Sequence, residues 1–91
     1  MEQLRARYNG SLTPSGHVIN AECDEATGNL ALWWIEKRGG RSVSHPISVI
    51  VKPSAHAYEV TSFVDADPGK TRHCPDLAAA CETIEEQIRN H

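Results

Sequence analysis

The chain has 91 residues, a net charge of −3 and an ordinary apolar share of 40%. These values exclude an intrinsically disordered chain and disfavour a strongly basic nucleic-acid-binding domain. The length fits one domain over residues 1–91, with a single core of one or two layers. No apolar run approaches the roughly 18 residues of a membrane span, and the N-terminus lacks an apolar signal core, so no membrane association is expected.

The cysteines are three in number, Cys23, Cys74 and Cys81, and they form no C-x-x-C pair. A secreted disulfide scaffold normally carries an even and denser set. The sequence therefore predicts free thiols and a cytoplasmic protein (in the host cytoplasm, if the chain is phage-encoded).

The first half of the chain predicts short strands separated by turns. Residues 2–8 fit either a strand or one helical turn, and the Asn-Gly turn signal at 9–10 favours the strand. Partial alternation predicts a second strand over 17–24. Residues 30–37, "LALWWIEK", are apolar on both alternating sides, which is typical of a central strand covered on both faces.

The second half predicts two more strands and a helix. A β-branched run predicts a strand over 42–52, in which Pro46 indicates an edge position or a bulge. Residues 57–65 predict the last strand, 66–74 a polar connection, and 75–90 an amphipathic helix. The apolar stripe of this helix consists of Leu77, Cys81, Ile84 and Ile88. Together these elements predict an α+β fold: an antiparallel four- to five-stranded meander sheet with one C-terminal amphipathic helix packed on one face.

The adjacent tryptophans Trp33 and Trp34 point to opposite faces of that sheet. Since one helix covers one face, we expect Trp34 in the core and Trp33 with Ile35 facing away. An uncovered Trp beside an Ile is typical of a partner site. The sequence leaves four covers open for this patch: the N-terminal segment, a curled sheet, a second copy of the chain or a different partner.

Sequence motifs for catalysis, cofactors and metals are incomplete. "ADPGKT" is not a P-loop, because Val64 stands where the first glycine is required. The segment around Asp67 has too few oxygen ligands for calcium, and no Cys or His pair has zinc spacing. Cys74, beside His73 at the expected helix start, is the best candidate nucleophile but lacks an orienting third group. We therefore expect that the chain is not an enzyme and that it binds no cofactor and no metal ion.

The remaining hypothesis is a non-enzymatic binding module that acts by occupying the surface of another protein. A basic turn after the Trp-containing strand and the acidic side of the helix complete its candidate site. The candidate partner-binding residues are Trp33, Ile35, Lys37, Arg38, Arg41, Glu82, Glu85 and Glu86. Acidic clusters would imitate phosphates, so a nucleic-acid-binding complex with a basic groove is one form of partner; a homodimer is another.

In size, acidic charge and lack of catalytic motifs, the chain resembles anti-CRISPR inhibitors of phages and mobile elements. This resemblance implies inhibition of a host defence complex. Residues 30–90, as strands followed by the helix "DLAAACETIEEQI", also resemble the arm-binding domains of tyrosine recombinases. That resemblance implies DNA or RNA binding through Lys37, Arg38, Arg41 and Lys52. The net charge and the Glu-rich helix disfavour the nucleic-acid alternative.

Overall fold

The computed structural model of the chain describes residues 1–37, 44–55, 57–64 and 67–90. Within these ranges five strands and two helices form an α+β fold. The elements are α1 (Glu2–Tyr8), β1 (Asn20–Cys23), β2 (Leu30–Lys37), β3 (Ser44–Ser54), β4 (Ala57–Val64), β5 (Asp67–Cys74) and α2 (Leu77–Arg89). The strands pair in chain order, all antiparallel, as a five-stranded meander. The predicted sheet with a C-terminal helix is therefore confirmed.

The N-terminal segment corrects one prediction, because residues 2–8 form helix α1 and not a strand. Leu4 and Tyr8 are four residues apart, so one side of a helix presents both of them to the core, where both are buried. Arg5 pairs with Glu2 on the exposed side, and this contact lowers the pKa of the Glu2 carboxyl. The Asn-Gly pair ends the helix, with Gly10 at a positive φ.

The polar segment predicted as a connection is also corrected, because residues 67–74 form strand β5. Its side chains are exposed except for Cys74, so hydrophobic alternation gives no strand signal there. Pairing with β4 forms this strand, with a bulge opposite Ser62. Gly69 fits at that point because a Cβ atom would lie 2.9 Å from Ser62 Oγ.

Strand β3 is the central strand of the sheet, which corrects the edge position that Pro46 suggested. Pro46 lies near the start of the strand and pairs with Ile35 of β2. The described pairing of β3 with β4 begins one residue later, at Ile47. A proline at this end therefore interrupts little of the hydrogen-bond ladder.

The core lies between one face of the sheet, called here the helix face, and the two helices. Trp34 is 1% exposed, which confirms its predicted place in the core. The strands contribute alternate residues to this layer, as a half-covered sheet requires. The buried strand residues are Ala21, Leu30, Leu32, Trp34, Ile47, Val49, Val51, Val60, Ser62 and Cys74.

Helix α2 covers the β3–β5 side of the helix face, while α1 covers β1 and β2. Asp76 is the N-cap of α2, and its side chain accepts a hydrogen bond from the Ala79 backbone N–H at 2.8 Å. Ile84 and Ile88 of the predicted stripe are buried, whereas Leu77 and Cys81 are half-buried. Both helices therefore lie on the same side of the sheet.

The outer edge of β1 is occupied by the residues that follow α1. The Gly10 N–H donates to the Ile19 carbonyl, and the Ile19 N–H donates to the Ser11 carbonyl, both at 2.8 Å. The Ala21 N–H donates to the Asn9 side-chain oxygen at 3.1 Å. These bonds tie α1 to the sheet and satisfy backbone groups at its edge.

Candidate protein-binding face

The second face of the sheet, called here the open face, carries an apolar centre. Trp33 of β2 pairs with Ser48 of β3, and Ser48 pairs with Phe63 of β4. The three residues form one row across the middle of the sheet, and Ile50 of β3 lies in the next row, paired with Ala31. One aromatic ring therefore lies on each side of the central strand, and a small residue lies between the two rings.

The open face has no cover among the described residues of the chain. The buried residues of α1 and α2 belong to the same core cluster as Trp34, on the helix face. Trp33, Ile50 and Phe63 consequently remain half-buried, and Ile35 is 52% exposed. Two of the covers considered above are therefore wrong. The N-terminal segment packs on the helix face, and the sheet does not curl enough to enclose the Trp33 ring.

Polar residues surround this apolar centre. Thr61 and Thr71 share a hydrogen bond of 2.7 Å between their hydroxyl oxygens. At one end of the sheet Glu59 lies in register between Lys52 and His73, and its carboxylate is 3.4 Å from His73 Nδ1. The open face thus has the apolar centre and polar rim that are common in protein interfaces.

The candidate basic residues are only partly placed by the structure. Lys37 is the last residue of β2, at the end of the sheet where Ile35 also lies. Arg38 and Arg41 fall outside the described residues. Their contribution to the open face stays a prediction.

The candidate acidic residues lie on α2, on the other side of the sheet from Trp33. Glu82 is exposed. Glu85 accepts from Arg7 at 3.0 Å, and Glu86 pairs with the Arg72 guanidinium at 3.1 and 3.2 Å. The fold therefore does not bring the tryptophan and the helix acids into one surface, and two of the three carboxylates are engaged within the chain.

The contact between the helices is built around Tyr8. Its hydroxyl donates to Glu85 at 3.3 Å, and Arg7 lies 5.6 Å from the ring centroid. Burial of the phenol raises the pKa of Tyr8 well above its usual range, and the adjacent Cys81 raises it further. This cluster links α1 to α2, so its contacts hold the two helices together.

The cysteine predicted as a nucleophile is placed in the core. Cys74 is 3% exposed, and its Sγ lies 3.4 Å from the buried Thr83 hydroxyl. In this position it behaves as a small apolar residue. Across the described residues, no three Cys, His, Asp or Glu side chains form a group that would hold a metal ion.

Phe63 and Ile50 are the residues of the open face that sequence reasoning missed. Each lies in a predicted strand, but their relation to Trp33 depends on the register of three strands. The alternation of β4, with Val60 and Ser62 inward, was the available signal for Phe63.

Comparisons of the chain with protein-family models, with curated proteins and with solved structures gave no match. Neither described helix has the length and apolar character needed to cross a bilayer.

Proposed function

We propose that this chain is a non-enzymatic protein-binding module whose open face is buried against another polypeptide chain. The supporting observation is the row of Trp33, Ser48 and Phe63 on a sheet face that neither helix covers. Large aromatic side chains at the centre of a surface, with a polar rim, dominate the binding energy of protein interfaces.

The charge of the open face supports a protein partner over a nucleic acid. Among the described residues, Glu22 and Glu59 lie on this face, and the cation Lys52 is in register with Glu59. A surface that binds phosphates needs an excess of cations. Aromatic rings also stack on bases, so nucleic-acid binding is the competing outcome that the experiment must separate.

The specific form of the proposal is an inhibitor of a host defence complex, of the anti-CRISPR kind. Its support is the acidic charge that remains exposed: Glu82 on α2 and the cluster Glu22, Asp24 and Glu25 at β1. Such carboxylates suit a basic nucleic-acid groove on the target. Under this proposal the target loses nucleic-acid binding when the chain is added.

The test compares open-face variants with a matched control elsewhere. The test variant combines Trp33→Ser with Phe63→Ser, and the control is Leu12→Ser. Leu12 is 64% exposed and lines a groove beside Tyr8 and Ile88, on the helix face. All variants are first checked for the wild-type fold by circular dichroism and thermal melting.

The tagged chain is first used to capture a polypeptide from its native cells, and that polypeptide is then purified. The measurement is a titration of each variant with this polypeptide, which can be an untagged copy of the chain itself. We expect the open-face variant to bind at least about tenfold more weakly than wild type, and the Leu12→Ser variant to bind normally. Equal binding by all three proteins contradicts the proposal. It is also overturned if the open-face variant alters only the titration of single-stranded or duplex DNA or RNA.

A further inference from the structure

We infer that the polypeptide covering the open face is a second copy of this chain, packed sheet on sheet about a two-fold axis parallel to β3. The inference rests on the proposed function, because it takes the open face as the protein-binding surface and names the partner. Sheets that pack face to face lie about 10 Å apart with their strands aligned to within about 30°.

The positions of the aromatic rings fit such a two-fold axis. Trp33 on β2 and Phe63 on β4 lie in the same row, one strand to either side of Ser48 on the central strand. Rotation about an axis along β3 exchanges the two sides, so Trp33 of each copy faces Phe63 of the other. Two Trp–Phe pairs then fill the interface, and the small Ser48 leaves space for the rings at the axis.

Charge at the two edges of the sheet selects the direction of the axis. On the open face the β1 edge carries the exposed Glu22, which pairs with Ala31, whereas the β5 edge carries the exposed Thr71 and His73, which pair with Thr61 and Glu59. An axis along β3 places β1 of one copy over β5 of the other, so the two Glu22 carboxylates lie at opposite edges of the interface. An axis perpendicular to the strands would place the two β1 edges over each other.

Because β3 lies along the two-fold axis, Lys52 at one end of β3 comes close to Lys52 of the second copy. Glu59 is its direct neighbour on β4 and supplies a compensating negative charge. The pair lies at the end of the sheet, beyond the row of Ile50 and Thr61, where solvent screens the repulsion.

The size of the open face meets the requirement of a stable dimer. Five strands about 4.8 Å apart, with about six residues each, give a projected area on the order of 400 Å². Side-chain relief makes the accessible area larger, so two such faces would bury on the order of 1,000 Å², which is the lower limit for a specific interface.

The first experiment is sedimentation equilibrium of the full chain over a concentration series up to about 1 mM. We expect the mass to rise from 10.0 kDa to twice that value. Phe63→Glu and Trp33→Lys should each shift the dimer dissociation constant upward by about 100-fold or more, because each buries an unpaired charge. A wild-type chain that stays at 10.0 kDa throughout overturns the inference.

The second experiment mixes the two variants. In the two-fold arrangement, the carboxylate introduced by Phe63→Glu in one copy faces the ammonium introduced by Trp33→Lys in the other, and the second Trp–Phe pair of that heterodimer is intact. We therefore expect the mixture to dimerise more tightly than either variant alone, with Leu12→Glu as a control that dimerises like wild type. A mixture no tighter than its components overturns the two-fold geometry.

The two proposals fail in distinguishable ways. If the chain is monomeric but the Trp33 and Phe63 variants lose binding to a different protein, the dimer is wrong and the proposed function stands. If these variants change neither the mass nor any protein binding, both proposals fall.

Discussion

Strand β2 contributes alternate residues to two faces of the sheet, and the two sets have different surroundings. Leu30, Leu32 and Trp34 lie beneath the helices and are almost completely buried. On the same strand Trp33 is half-buried and Ile35 is 52% exposed. The two sets are similarly apolar, so composition alone does not set their burial.

The difference between the faces follows from how much cover the chain supplies. Both described helices pack on one face, and in the described part of the chain neither of them contacts the other face. An apolar pattern on both sides of a strand therefore indicates that both faces need cover, and it does not say that the same chain provides it. We expect the helix face to determine stability and the open face to determine association.

The largest expected effect comes from the adjacent tryptophans. The same indole side chain can be removed from the helix face at Trp34 and from the open face at Trp33. Trp34→Ala should lower the free energy of unfolding by about 3–5 kcal/mol, because it opens a cavity in the core. Trp33→Ala should cost about 1 kcal/mol or less in the monomer, since the ring is already partly exposed. Urea unfolding at low protein concentration measures both.

If Trp34→Ala does not fold, the pair Trp34→Phe and Trp33→Phe repeats the comparison with a smaller deletion. Equal losses at the two positions would contradict the distinction between the faces.

The next effect compares two isoleucines, one on helix α2 and one on the open face of strand β3. Ile84→Ala on α2 should cost about 2–4 kcal/mol, because the side chain is completely buried against the sheet. Ile50→Ala on the open face should cost about 1 kcal/mol or less in unfolding but weaken self-association. Chemical denaturation and sedimentation on the same samples separate the two properties. An Ile50→Ala protein that loses stability as strongly as Ile84→Ala would show that the open face is covered within the monomer.

A smaller effect is expected at the cap of the covering helix. Asp76→Ala should lower the free energy of unfolding by about 1 kcal/mol, since the Ala79 N–H loses its partner. Asp76→Ser is the matched control, because serine also caps helices and should retain most of the stability. Association through the open face should be the same in both variants, and a change in dimer affinity without a change in stability would contradict the separation.

The smallest effect concerns alkaline pH. The pKa of Tyr8 is raised by burial above its ordinary value of 10.0, so folding favours the neutral phenol. The stabilisation is fully present below pH 10.0 and is lost as the pH rises toward the folded-state pKa. Urea unfolding from neutral to alkaline pH should show this decline in wild type and a weaker one in Tyr8→Phe. The same decline in both proteins would exclude Tyr8 as its source.

Strong local patterns were enough to predict part of the fold. The strand at 30–37 has the predicted bounds, and the C-terminal helix lies within its predicted segment. The strand predicted for residues 2–8 was wrong because a pattern of seven residues is compatible with both a strand and a helix. Only the packing of Leu4 and Tyr8 on the core decides between them. Strand β5 was missed because it is an exposed edge whose pairing with β4 depends on tertiary context.

The candidate site was predicted in its centre but not in its extent. The alternation of β2 was enough to place Trp33 and Ile35 on the uncovered face. Phe63 joins them through the register of three strands, which no local pattern of the chain specifies. The acids of α2 were grouped with the tryptophan by charge alone, and the layer order of the fold separates them.

The outer edge of β1 has a consequence for how copies of this chain can accumulate. Its backbone groups at Ile19 and Ala21 are bonded to residues 9–11, while the opposite edge strand carries Pro68 and a bulge. A strand from a neighbouring molecule therefore meets an occupied edge at β1 and an interrupted edge at β5, and the lysine and arginine of β5 oppose it further. Even at high concentration in the cell, this geometry disfavours fibrous aggregation.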